Sequence, residues 1–254
     1  MAEPVSTNSS YAKHYPVYLV DQPRRGQAGQ STVAAELSAT PDDQFWYAQF
    51  RIGVYPNMND GVAFPKDPAA QAQFFRMMTP DTGSFDVGVI TDSMTQLFAK
   101  TGGGVFVTHS AGGIIGWTTA MASDKVQGII AIEPGAFYFS EGEAPPKLES
   151  KFGDVSPLTV PPERFAKLTR IPIVIYFGDF IPDHLDGTQG GEQWHIRMKM
   201  AQQFADTVNK HGGKAELVHL PQVGIRGNTH FMFSDTNNDA VADHIAGWLA
   251  KQGF

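Results

Sequence analysis

GGGVFVTHSAGGIIGW, residues 102–117, decides how this chain is read. Three glycines close whatever precedes them. Val105-Phe106-Val107 is an apolar burst of the kind that forms a buried strand. Ser110 follows it, and Ile114-Ile115-Gly116-Trp117 begins a second apolar run. The stretch predicts a strand over 105–109, a sharp turn at Ser110 and a helix over 111–122. A serine at such a turn has two readings. It is a nucleophile, or it caps the helix that follows.

The rest of the chain repeats the strand-then-helix pattern. Apolar runs predict strands over Tyr15–Val20, 128–132, 171–177 and 214–220. Helical spacing appears over 85–100, where Val87, Ile90, Met94, Leu97 and Phe98 share a face, and over 192–210 and 238–251. Within the last of these, Val241, Ile245, Trp248 and Leu249 form one stripe. A short helix is expected over 69–78. His211-Gly212-Gly213 reads as a helix stop. Residues 40–84 and 136–166 are rich in proline and irregular, and they read as excursions from one 254-residue α/β domain. Alternation of this kind predicts a mostly parallel sheet flanked by helices. In such sheets chemistry sits at the carboxyl ends of the strands. That rule gives Asp21, Ser110, Glu133, Asp179 and the loop 221–237.

Composition removes several classes of function. Hydrophobic residues make up 42% and charged residues 18%, which is a globular balance. The net charge of −7 and the lack of any basic cluster beyond Arg24-Arg25 argue against a nucleic-acid partner. There is no cysteine, so disulfides, thiolate metal sites and a cysteine nucleophile are excluded. No apolar run approaches the ~20 residues of a membrane span. Residues 1–15 lack the apolar core of a signal peptide, and the compartment stays open. No metal is expected: no histidine pair stands at i, i+4 beside an acid, and Asp235-Thr236-Asn237-Asn238-Asp239 lacks the glycine and terminal glutamate of a calcium loop. No cofactor is expected either, since the triple glycine precedes a strand and phosphate loops follow one.

The nucleophile-elbow motif reads G-x-S-x-G and sits between a strand and a helix. Here it reads Thr108-His109-Ser110-Ala111-Gly112. Gly112 answers the need for a close approach two residues after the nucleophile. Thr108 crowds the turn, which is expected to open slightly, with the threonine hydroxyl bonded to nearby backbone. A serine also needs a base. Among eight histidines, His230 lies after the last strand and before the last helix, where a loop would hang over the sheet's carboxyl edge. His109 is expected to point away from Ser110, and His219, inside a strand, reads as a core histidine. The third partner is an acid that orients the imidazole. Glu133 ends an apolar strand, where a carboxylate is costly without a partner. Asp179 and Asp183 are the alternatives, and Asp179 also fits a simple turn-forming role. Ser110, Glu133 and His230 occur in the order serine, acid, histidine.

On these residues the chain resembles the α/β-hydrolase superfamily. More narrowly, it is similar to a branch of bacterial serine esterases that take the acid from the strand immediately after the nucleophile strand. VDQPRRG (20–26), THSAGG (108–113), AIEPGAF (131–137) and GNTHFMFSDTNNDAVADHI (227–245) carry the likeness, which covers most of residues 15–252. The resemblance implies a small-molecule ester substrate, Ser110, His230 and Glu133 as the triad, and the Ala111 N–H as an oxyanion donor. It also implies that a His-Gly oxyanion loop and the first strands are lacking, which would leave a sheet edge exposed to aggregation or to pairing as a homodimer. Were the chain a fragment, a secreted or periplasmic setting would be permitted. Two other functions remain: a degenerate hydrolase fold acting as a binding domain, and the same triad serving acyl transfer or C–C bond hydrolysis.

Overall fold

The structure is a computed structural model that describes residues 15–24, 28, 43–78 and 84–254. The chain divides into two compact units, residues 86–223 and residues 1–85 with 224–254.

In the unit 86–223, helix α3 (Val87–Thr101) is started by Asp86, whose carboxylate accepts the Val89 N–H at 3.1 Å. Ile90, Met94 and Phe98 are its buried stripe. Gly102, at φ +92°, ends it, because a left-handed C-cap favours a residue without Cβ. Strand β3 (Gly104–His109) follows, then a single 3-10 turn, Ser110–Gly112, and helix α4 (Gly113–Ala122). Strands β4 (Val126–Ile132), β7 (Pro172–Phe177) and β8 (Lys214–His219) complete a four-stranded sheet in the order β3-β4-β7-β8. All its pairings are parallel, with His109 opposite Ile132 and Ile132 opposite Tyr176.

β4 and β7 are the inner strands and almost wholly buried, which explains their unbroken apolar sequences. β8 alternates between exposed and covered residues, as an edge strand does. Helix α6 (Gln189–Lys210) connects β7 to β8. Ile129, Ala131, Ile173, Ile175 and Phe177 share one core with Met94 of α3, Trp117 of α4 and Phe204 of α6. The Trp117 indole N–H is satisfied by the Ala136 carbonyl at 2.9 Å.

The excursion 136–166 holds more order than its sequence suggests. β5 (Tyr138–Ser140) and β6 (Leu158–Val160) pair in parallel, and α5 (Pro162–Leu168) follows. Glu192 on α6 ties the segment down by accepting the Ser150 hydroxyl at 2.9 Å, and the Gln193 amide donates to the Gly153 carbonyl at 2.7 Å.

The unit formed by 1–85 and 224–254 holds α1 (Asp43–Gln49), the two-residue strands β1 (Gly53–Val54) and β2 (Asn57–Met58), α2 (Pro68–Arg76) and α7 (Asn238–Gln252). The described residues of 40–84 therefore carry two helices and a two-stranded ladder. Their core is a cluster of rings: Tyr47 meets Tyr55, Phe64, Phe74 and Phe75 at centroid distances of 5.5–6.4 Å.

The strand expected over Tyr15–Val20 does not form. Those residues belong to no ladder, and Tyr18 and Leu19 are 67% and 75% exposed. An apolar extended segment becomes a strand only when a neighbour takes its N–H and C=O groups, and no described strand does so here. The loop expected to run on to Gly29, His14 and the end of VDQPRRG lie outside the described residues apart from Arg24 and Ala28. No helix among the described residues is long and apolar enough to cross a membrane.

Candidate active site

β3 delivers Ser110 to the carboxyl end of the sheet. His109 is still extended, at φ −133°, and Ser110 turns abruptly to φ +54°. A non-glycine residue held in the left-handed region is strained, and such residues collect at functional turns. The helix-cap reading of Ser110 fails, because no side chain caps either the 3-10 turn or α4. Ala111 is exposed at the start of this helical segment, where backbone N–H groups lack partners within the helix.

Close packing at the turn falls on Gly113 and Gly116. Gly112 is ordinary right-handed backbone at φ −64°. A Cβ on Gly113 would stand 2.5 Å from Pro134 Cβ, and one on Gly116 would stand 3.0 Å from Thr108 Cγ2. Thr108 is thus accommodated by the bare face of α4 at Gly116. Its buried hydroxyl has no hydrogen-bond partner among the described residues, where a backbone bond was expected. The contact predicts a sign reversal. Gly116→Ala should destabilise the native chain by about 1–2 kcal/mol through overpacking. With Thr108→Ala also present, the clash is gone and Gly116→Ala should stabilise by up to about 1 kcal/mol, its helix-propensity gain. Thermal unfolding of the four proteins of this cycle measures the coupling.

The turn after β4 lies beside the Ser110 turn. The Gly135 N–H donates to the Ser110 carbonyl at 3.2 Å. Glu133 is fully buried at φ +43°. Its N–H donates to the Tyr176 carbonyl at 2.9 Å, and its Oε1 accepts the Gly178 N–H at 2.7 Å. β4 and β7 together therefore fix this carboxylate from its backbone and from its head.

The other two acids are engaged differently. Asp179 accepts the N–H of the next residue, Phe180, at 2.8 Å. Asp183 is 96% exposed, and its Oδ1 pairs with His184 Nδ1 at 2.6 Å. That hydrogen bond holds Asp183 below the usual carboxylate range and raises His184.

In the unit 1–85 with 224–254, His230 is 1% exposed. Its ring lies face to face with Phe50, centroids 4.8 Å apart and planes 12° apart, and edge-on to Phe231 at 5.3 Å. Its N–H donates to the Phe50 carbonyl at 3.2 Å. Gly227 starts the loop at φ +83°, where a Cβ would come 2.4 Å from the Gly61 carbonyl oxygen. Phe50 and Asp235, which both touch this loop, escaped the sequence reading. Asp235 stood out only as part of a failed calcium loop.

Three other histidines have separate surroundings. His195 donates from Nδ1 to the Pro182 carbonyl at 2.8 Å, and His211 pairs with Glu143. His219 is not a core residue. It is half-buried at the end of β8 and lines a shallow cavity of about 450 Å³ with His195 and Asp183. Among the described residues no group of three or more histidine and acidic side chains is arranged to hold a metal ion.

No family model matches the chain. A solved bacterial esterase overlays on 90% of the chain with a TM-score of 0.68 and 29% sequence identity. The chain has the α/β-hydrolase fold of the esterases. It spans 63% of the length of that esterase. A probable secreted lipase, phiG, from a fungal species (Fungal sp. strain ATCC 74256) is 24% identical over 94% of this chain and 73% of its own length. The esterase domain of a Rhodothermus marinus protein overlaps at a TM-score of only 0.37 and 12% identity, over 63% of this chain and 66% of that one. That likeness is too loose to bear on the fold.

Proposed function

We propose that the chain is a carboxylic ester hydrolase that works through an acyl-enzyme on Ser110, with His230 as general base and Glu133 as the acid that orients it. One observation carries the reading: Ser110 at φ +54° on the strand-to-helix turn, its carbonyl bonded to the turn that holds buried Glu133. A helix cap requires neither the strained backbone nor the neighbouring carboxylate. The esterase and lipase to which the chain is similar support an ester as the substrate class.

In this mechanism His230 takes the Oγ proton as Ser110 attacks the ester carbonyl. The oxygen gains negative charge and is held by the Ala111 N–H. The protonated imidazole then gives its proton to the departing alkoxide, leaving the acyl group on Ser110. A water molecule, losing its proton to His230, attacks that acyl group. The carboxylic acid departs and the proton returns to Ser110. The carboxylate of Glu133 keeps the imidazole in the tautomer that accepts at one nitrogen, and stabilises it while it is charged.

A fluorophosphonate probe is the direct test. It should form one covalent adduct, on Ser110, and heat-unfolded protein should take no label. Folded protein that takes no label at Ser110 would sink the reading and favour a binding role for the fold.

A further inference from the structure

We infer that Asp235 is a positioning residue for His230, acting through Thr229. The inference rests on the reading of His230 as the base. Asp235 is 1% exposed, and burying a carboxylate is costly unless strong hydrogen bonds replace its water. Here those bonds converge on the residue before the histidine. Asp235 Oδ2 accepts the Thr229 N–H at 2.7 Å, and Oδ1 accepts the Thr229 hydroxyl at 3.0 Å.

The second bond has a further consequence. A threonine hydroxyl has one proton. With that proton aimed at Asp235, a lone pair of Oγ1 is left for the Phe231 N–H, which donates to it at 3.1 Å. The His230 N–H donates to the Phe50 carbonyl. Every backbone N–H from Thr229 to Phe231 is thereby assigned, and one carboxylate governs those on both sides of His230. The Phe231 carbonyl closes the loop by accepting the N–H groups of Ser234 and Asp235 at 2.7 and 3.1 Å. Asn228 and Asn237 pair side chain to side chain, at 2.8 and 3.1 Å, which anchors the ends of the segment. With this backbone fixed and Phe50 against its face, the imidazole has little freedom left.

A general base must hold its hydrogen-bond geometry, and a displacement near 1 Å costs about 100-fold in rate. The decisive substitution is therefore at Thr229, where shape and hydrogen bonding can be separated. Thr229→Val keeps the volume and removes the hydroxyl. It should lower kcat for a p-nitrophenyl ester by about 30- to 100-fold. KM should stay within about twofold, because the substituted group binds no substrate. Thr229→Ser keeps the hydroxyl and should stay within about threefold of native in both constants. Asp235→Asn should fall between the two.

The imidazole Cε1–H signal of His230, assigned by its loss in His230→Gln, gives a readout independent of turnover. It should shift and broaden in Thr229→Val and match native in Thr229→Ser. An unchanged signal in Thr229→Val would overturn the inference. So would a loss of rate that appears equally in the serine variant, or one explained by a lower melting temperature. If His230→Gln itself retained activity, the base reading would fail, and the signal of Thr229→Val would still decide whether Asp235 holds the ring.

Discussion

Glu133→Gln should lower kcat for ester hydrolysis by about 10⁴-fold, while Asp179→Asn and Asp183→Asn should each stay within about threefold of native. The reasoning starts from where each carboxylate spends its oxygens. Glu133 is wholly buried, and its Oε1 is held by the Gly178 N–H. Glutamine preserves the volume, and its remaining oxygen can still accept that N–H. In the proposed triad its amide would present a donor where the imidazole N–H would also donate, and the histidine would be pushed toward the tautomer that leaves no nitrogen to accept the serine proton. Asp179 already serves the Phe180 N–H in its own turn, a bond that asparagine reproduces. Asp183 faces solvent with His184, and an exposed ion pair is worth little. The check is kcat and KM for the three variants beside circular dichroism of each. A large loss at Asp179 or Asp183 with near-native rates for Glu133→Gln would move the acid to the turn after β7.

The same residues show how far sequence reaches. The strands β3, β4, β7 and β8 were legible within a few residues: β4 and β7 because buried parallel strands must be apolar throughout, and the partly exposed β3 and β8 as short apolar runs set off by glycines. YPVYLV has the same letters and forms no strand, since letters record what a segment could bury and leave out who pairs with it. β5 and β6, three residues each among prolines, are too short to show a period. α1 escaped for the same reason: DQFWYAQ is seven residues long and its apolar residues are adjacent instead of spaced. Ser110, Glu133 and His230 stand out in the sequence as candidates because each stands at the end of an apolar run or between elements. Asp235 was not visible, because it acts on backbone N–H groups, which every residue offers and no residue type announces. Thr108 was read as a fault in the elbow. The compensation sits eight residues later, at Gly116, one helical face away, where a linear motif does not look.

Ser110→Ala should lower kcat by about 10⁶-fold, and the test of the proposed chemistry is what happens when His230→Ala is added to it. Ser110 belongs to the unit 86–223 and His230 to the unit formed by 1–85 and 224–254. If the two residues acted independently, each removal would carry its own penalty and the penalties would multiply. If the serine is activated only by that histidine, removing either one removes the same step. The single variants and the double variant should then share one residual rate, about 10³-fold above the uncatalysed reaction, supplied by binding and by the oxyanion donor. The measurement is kcat for the two single variants and the double variant on one ester, with folding checked by thermal melts. Multiplying penalties would separate the residues and remove His230 from the mechanism. A shared floor would tie them together whatever the substrate, because it depends only on both residues serving the same proton transfer.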